Sequence, residues 1–175
     1  MQIAGLYQEM PFFISKLKEI VNCDYSSEFI LEVQAQIYLY EQAYLLNTGQ
    51  FPAALALTEK YEESLFKKIT LPDLETQLKL HLNQAILYLC CNEPQKARKN
   101  MKKIFSSGKL FYALPSYKTA RLINLLIQAE LGNYDFFENE ISSIKRNIRY
   151  EKQTYRTEKL LFRFVMAYPL PTFQK

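Results

Sequence analysis

The sequence predicts an all-α protein built as a stack of helical hairpins, and three observations carry that expectation. The composition favours helix. Among 175 residues there are four glycines and no tryptophan, valine occurs only at Val21, Val33 and Val165, and the good helix formers Leu, Ala, Glu, Lys and Gln dominate. Turn signals cut the chain at intervals into helix-length segments. The segments then alternate in character, one apolar nearly all round and the next amphipathic, as paired helices in a stacked array require. At this length the chain reads as one domain, 1–175, able to bury roughly 70% of its unfolded surface.

Taken in order, the first predicted helix is 11–22, an amphipathic segment that stops before Cys23-Asp24. It has no obvious first partner, as though the array began in mid-hairpin. The second, 26–47, runs to Asn47-Thr48-Gly49, and the third, 51–68, is charged with a single apolar stripe. Leu71-Pro72-Asp73 separates it from the fourth, 73–91, whose last turns from Ala85 to Cys91 are apolar on every side. Asn92-Glu93-Pro94 opens the amphipathic fifth, 94–106. Ser106-Ser107-Gly108 and Leu114-Pro115 bracket a connection to the sixth, 115–131, which carries Leu122-Ile123 and Leu125-Leu126-Ile127. Gly132-Asn133 leads into the seventh, 133–149, and an eighth, 152–167, follows a break that no Pro or Gly marks. Asp24, Asp73 and Asp135 stand beside predicted helix starts, where a carboxylate caps free backbone N–H groups.

The turns repeat. Gly49-Gln50-Phe51-Pro52-Ala53-Ala54 aligns with Asn92-Glu93-Pro94-Gln95-Lys96-Ala97 and then with Gly132-Asn133-Tyr134-Asp135-Phe136-Phe137, at offsets of 43 and 40 residues. The clearest repeats cover 26–68, 73–106 and 115–149. Within the second, the run from Asn83 to Ala97 resembles the heart of a tetratricopeptide repeat. Ala85 and Tyr88 stand at that family's small and aromatic positions in the first helix, and Ala97 at the small position of the second. The first repeat has Gln42 and Leu45 in the corresponding slots but keeps Ala54, and the third has Phe137 in place of the small residue. The period is longer than the family's, about 34 residues. The resemblance covers 26–149 and implies a right-handed α-α superhelix of about three hairpins, with 11–22 and 152–167 as extra terminal helices. It also implies a scaffold that binds a peptide or protein along its helical stack.

Little in the chain points to catalysis. His81 is the only histidine, and Cys90 and Cys91 follow it by nine and ten positions. On a helix, nine residues turn through about 900° and rise about 13 Å, so His81 and Cys90 face opposite ways and share no ion. Adjacent cysteines diverge by about 100° as well, and both read as small packing residues inside a buried helix. Three cysteines do not make a disulfide framework, no Gly-rich phosphate loop is present, and no second histidine supports a metal or nucleophile motif. The expectation is therefore a non-enzyme with no cofactor and no metal.

Two constellations are candidates for binding. Gln77, His81, Gln84 and Tyr88 recur at spacings of 4, 3 and 4, as do Tyr117, Arg121, Asn124 and Gln128, while Gln34, Tyr38 and Glu41 extend the series one repeat back. Each set lies on one helical face. Such rows line a groove that hydrogen-bonds an extended peptide, form an interhelical hydrogen-bond ladder, or are partly exposed with no ligand. The second constellation is basic. Lys145, Arg149, Lys152, Arg156, Lys159 and Arg163 would form one stripe about 27 Å long on an unbroken helix, fit for an acidic protein or a nucleic-acid backbone. A turn near Tyr150 would split it, and a solvated flank is the plainer alternative. Lys96, Arg98, Lys99, Lys102 and Lys103 add to this basic half.

Charge is unevenly spread. Residues 1–75 carry five lysines against eleven acids, a net of −6, and residues 76–175 carry seventeen Lys or Arg against seven acids, a net of +10. That polarity favours an acidic partner or self-association. The N-terminal segment lacks the marks of a secretory signal and no apolar run is long enough to span a bilayer, so the expected setting is cytoplasmic and away from membranes. The expected function is a non-catalytic protein-interaction scaffold, with a nucleic-acid-binding or regulatory sensor module as the alternative.

Overall fold

The computed structural model describes residues 9–70, 72–106, 108–133, 135–151 and 156–166. Among them the chain forms eight α-helices and no strand: α1 (Met10–Val21), α2 (Ser27–Asn47), α3 (Phe51–Lys60), α4 (Leu74–Cys90), α5 (Pro94–Ser106), α6 (Pro115–Glu130), α7 (Asp135–Glu151) and α8 (Arg156–Met166). Four of them begin on or one residue before a proline, at Pro11, Pro52, Pro94 and Pro115, where the missing N–H has no helical partner to lose. Asp73 caps α4, its Oδ1 accepting from the N–H groups of Glu75 at 2.9 Å and Thr76 at 3.0 Å. At α2 the cap is Ser26, whose hydroxyl accepts from Phe29 N–H at 3.3 Å, so Asp24 is not the capping residue.

The three aligned turns share one backbone geometry. Gly49, Asn92 and Gly132 have φ of 72°, 58° and 71°. After each of them an N–H reaches back to close the helix: Gln50 to the carbonyl of Leu45 at 2.8 Å, Glu93 to Tyr88 at 2.8 Å, and Asn133 to Gln128 at 3.0 Å. A second bond runs from Gly49 to Leu46, from Asn92 to Leu89 and from Gly132 to Ala129. This is the Schellman closure, which places a left-handed residue just past the helix and turns the chain into the next one. Only glycine and, less readily, asparagine take that conformation cheaply, and those are the residues present.

The third helix is shorter than the 51–68 expected. It ends at Lys60, and a 3₁₀ turn at Phe66–Lys68 follows. Between them the Tyr61 carbonyl accepts from both Leu65 and Phe66, and the Glu62 carbonyl accepts from Lys67. Bonds that span five residues widen the turn, which swings Phe66 onto the side that Tyr61 and Leu65 already occupy. Tyr61 and Phe66 then both meet the buried Tyr38 ring edge-on, at 5.4 and 5.1 Å between centroids. The gain from closing aromatic rings around Tyr38 outweighs continuing a regular helix.

The helices pack in a repeating order. Hairpins α2–α3, α4–α5 and α6–α7 each pair internally, α4 packs on α2 and α3, and α6 packs on α4 and α5. The terminal helices follow the same rule. α8 packs on α6 and α7, and α1 packs on α2 as α3 does on α4 and α5 on α6. Each terminal helix is thus half of a hairpin. The first helices of successive hairpins run parallel, because their contacts advance by one repeat. Glu32 accepts from the N–H of Asp73 at 2.7 Å, Gln36 reaches Thr76, and Gln42 donates to the carbonyl of Asn83. One repeat further on, Ser116 donates to Glu75, the counterpart of Glu32.

Three buried clusters follow the stack. The first joins Ile14 of α1 to Ile37 and Tyr38 of α2 and reaches Leu80 of α4. The second holds Leu78, Leu82 and Ala85 of α4 against Ala97, Met101 and Ile104 of α5, with Ala120 and Ile127 of α6. The third joins Leu125 and Ala129 of α6 to Phe137, Ile141 and Ile144 of α7 and Phe162 of α8. Cys90 and Cys91 belong to none of them, which corrects their reading as packing residues: Cys90 is exposed, and Cys91 is half-buried at the helix C-cap. The all-round apolar run at the end of α4 extends past the helices that cover it. Partial desolvation by the surrounding side chains pushes both thiols up, the direction opposite to that of an activated nucleophile.

Candidate functional site

The polar rows face the second layer of helices. Tyr38 is hydrogen-bonded to Thr58 of α3 at 3.0 Å, and Glu41 pairs with Lys18 of α1. His81 is buried near Asn100 of α5. Tyr88 sits under the Lys96 ammonium, 5.6 Å from the ring centre. Tyr117 packs edge-on against Phe105 of α5, and Arg121 Nε donates to Glu140 Oε1 of α7 at 2.7 Å. The other members close local contacts. Gln77 donates to the Pro72 carbonyl at 2.6 Å, Asn124 accepts from Gln128 at 3.3 Å, and Gln128 accepts from Asn133 at 2.7 Å. Gln34 is half-buried and Gln84 buried. Tyr38, Glu41 and Arg121 thus make polar contacts between helices, and Gln77, Asn124 and Gln128 make local ones.

Two residues further along each helix the side chains point about 200° away from the polar rows, onto a face that is partly accessible, although Ile86 and Ile123 still pack against the second buried cluster and Leu126 against the third. The positions there are Gln36, Tyr40, Ala43 and Asn47 on α2, Lys79, Asn83, Ile86 and Cys90 on α4, and Thr119, Ile123, Leu126 and Glu130 on α6. None of the twelve is buried. They recur at the same offsets of 43 and 40 as the turns, and because the three helices run parallel they form one continuous strip. Its chemistry is mixed: a tyrosine and branched aliphatics for apolar contact, amides and a hydroxyl for hydrogen bonds, and one lysine, whose ammonium lies 3.4 Å from Glu75. A search for the most polar stripe passes over this face, since its residues look like ordinary core in the sequence. The signal that finds it is the position opposite the small and aromatic slots of the repeat.

A recess of about 500 Å³ opens on the other layer, between α1 and α3 with α2 as its floor. Ile14, Tyr44, Leu45, Ala53 and Leu57 make it apolar, and Lys18, Glu41 and Lys60 line it as well. Its size suits an apolar side chain.

His81 is the one strongly perturbed base among the described residues. Burial and the nearby Lys103 ammonium push it down to about 4, against the upward pull of Asn100. Its Nδ1 is buried without a hydrogen-bond partner among the described residues. No other titratable side chain joins it in an open pocket, and no group of three His, Cys, Asp or Glu residues with metal-ligand geometry occurs among the described residues.

The basic stripe does not lie along one helix, because α7 ends at Glu151, α8 begins at Arg156, and the two pack against each other. Lys159 and Arg163 are exposed on α8. Lys152 lies outside the described residues, as do the side chains of Lys145, Arg149 and Arg156. The α5 set is better placed: Lys96, Arg98, Lys99, Lys102 and Lys103 are all exposed. Among the described residues no helix is long and apolar enough to cross a membrane.

The fold and its accessible face define an all-helical protein of stacked hairpins. No family model, curated protein or solved structure matches this chain.

Proposed function

We propose that the protein is a non-catalytic interaction scaffold, a right-handed α-α superhelix of tetratricopeptide type that holds a peptide or protein segment along the shared face of α2, α4 and α6. The observation that carries this reading is the strip of partly accessible positions that recurs through three parallel helices, while Tyr38, Glu41 and Arg121 of the opposite rows are engaged with neighbouring helices. Tyr40, Ile86, Ile123 and Leu126 supply apolar contact for alternate side chains of an extended ligand. Asn83 and Thr119 supply donors and acceptors for its backbone, while the Gln36 amide is partly engaged by Thr76, and a face already ordered by helix packing binds with little reordering.

Selection of a random peptide library on the folded protein tests the reading. Selected peptides are expected to lose at least about tenfold in affinity on Tyr40→Ala or Ile86→Ser, about 1.4 kcal/mol, with little change in melting temperature. Lys60→Ala, in the recess on the other layer, should leave them unaffected. Peptides that ignore the first two substitutions and respond to the third would move the site to that recess.

A second reading has its own support in the exposed basic residues of α5. It assigns that surface to an acidic protein or a nucleic-acid backbone. Retention on heparin at low salt, lost at moderate salt and lost on Lys99→Glu with Lys102→Glu, is its expected result.

A further inference from the structure

We propose that the two ends of the stack are docking surfaces for one another, so that α8 of one copy packs on the α1–α2 end of a second copy and the molecules associate head to tail. Every complete hairpin in the chain is followed by a helix that packs on both of its members, and the ends break the series in complementary ways. At the N-terminal end α1 holds the place of a second helix, and among the described residues no first helix pairs with it. At the C-terminal end α8 holds the place of a first helix, and among the described residues no second helix pairs with it. A neighbour's α1 is the kind of helix that would pair with α8, and a neighbour's α8 the kind that would pair with α1.

Surface chemistry matches this pairing. Large apolar side chains are exposed at both ends: Phe12 at 60%, with Phe13, Tyr25 and Phe29 also open, and Leu160 at 55%. Exposed acids at the first end, Glu9, Glu19, Asp24 and Glu28, outnumber the exposed Lys16 and Lys18, which pair with Glu19 and Glu41, while Lys159 and Arg163 are exposed on α8. The half-chain charges of −6 and +10 have the same polarity. The two helices also agree in length, 12 residues for α1 and 11 for α8, or about 18 and 16 Å. Both surfaces are used once per molecule and they differ, so the contact is heterologous and propagates instead of closing into a two-fold dimer.

Sedimentation of the whole chain over a range of concentrations at low salt, with paired variants, tests this. The mean mass should rise with concentration beyond twice the 20.7 kDa of one chain, and it should fall back as salt is added. Leu160→Asp and Phe12→Asp should each give a monomer when alone. Each variant retains the end that the other has lost, so an equimolar mixture should form a one-to-one dimer and nothing larger. Circular dichroism of each variant checks that it remains folded, and Phe164→Asp and Phe13→Asp provide second blocks at the two ends. A monomer at every concentration, or a mixture that stays monomeric while wild type associates, overturns the proposal. The end faces would then belong to another protein or a further segment of polypeptide. A closed dimer that Phe12→Asp leaves intact overturns it as well.

Discussion

His81 sits where α4 meets α5, near Asn100, with Nδ1 buried and the Lys103 ammonium near enough to disfavour a second positive charge. Its folded value of about 4 lies below the ordinary 6.5, so the unfolded chain takes up a proton before the folded one does. The stabilisation is therefore complete above about pH 6.5 and is lost as pH falls from there toward 4, amounting to roughly 2–3 kcal/mol. His81→Gln keeps an amide for Asn100 and removes the titration. Chemical denaturation at pH 7 and pH 4 should show wild type losing about that much more stability than the variant, and equal losses would mean the imidazole is solvated. Gly49 poses a different residue-scale problem. A Cβ there would meet nothing within 4 Å, so the penalty of Gly49→Ala comes from φ of 72° alone, about 1 kcal/mol. Gly49→Asn should cost less, because Asn92 holds the equivalent position at φ of 58°. Melting curves of the two variants give the order directly, and equal losses would show that the aligned turns are not equivalent.

At the scale of elements, boundaries were readable wherever a turn has its own chemistry. The left-handed residues at Gly49, Asn92 and Gly132 and the prolines opening α1, α3, α5 and α6 leave marks in the sequence, and the helix ends fall within a few residues of them. The early end of α3 left none, because it arises from Tyr61, Leu65 and Phe66 closing on Tyr38, which lies on another helix. The direction of the polar rows was equally hidden. Spacing of 4, 3 and 4 shows that residues share a face, but which layer that face meets depends on how the hairpins stack. The Arg121–Glu140 pair makes the point testable. Their side chains are 11% and 20% exposed, and the bond ties α6 to α7. Arg121→Ala should destabilise the protein by about 1–2 kcal/mol, and a double-mutant cycle with Glu140→Gln should return most of that as coupling. Peptides selected on the wild-type protein should bind the folded variant unchanged. A variant that melts normally but loses those peptides would return the site to the polar row.

For the whole molecule, the consequence of this architecture is that stability is shared between neighbours rather than held in one centre. Each buried cluster spans adjoining hairpins: Leu80 of α4 belongs to the first, and α6 contributes Ala120 and Ile127 to the second and Leu125 and Ala129 to the third. A perturbation at one end must therefore pass through α6 and then α4 before it reaches α2. A chain ended after Glu151 removes Phe162 from the third cluster and uncovers Phe137, Ile141 and Ile144. Hydrogen exchange should then accelerate most in α7, measurably in α6, and least in α2 and α3, whose cluster includes nothing from the last hairpin. A uniform acceleration across all helices would mean that the stack unfolds as a single unit, and the graded picture would fail. The same gradient bears on binding. A ligand lying across α2, α4 and α6 touches all three clusters' elements at once, so its protection should extend to hairpins it contacts only at one edge. Exchange protection confined to a single helix would restrict the interaction to one repeat.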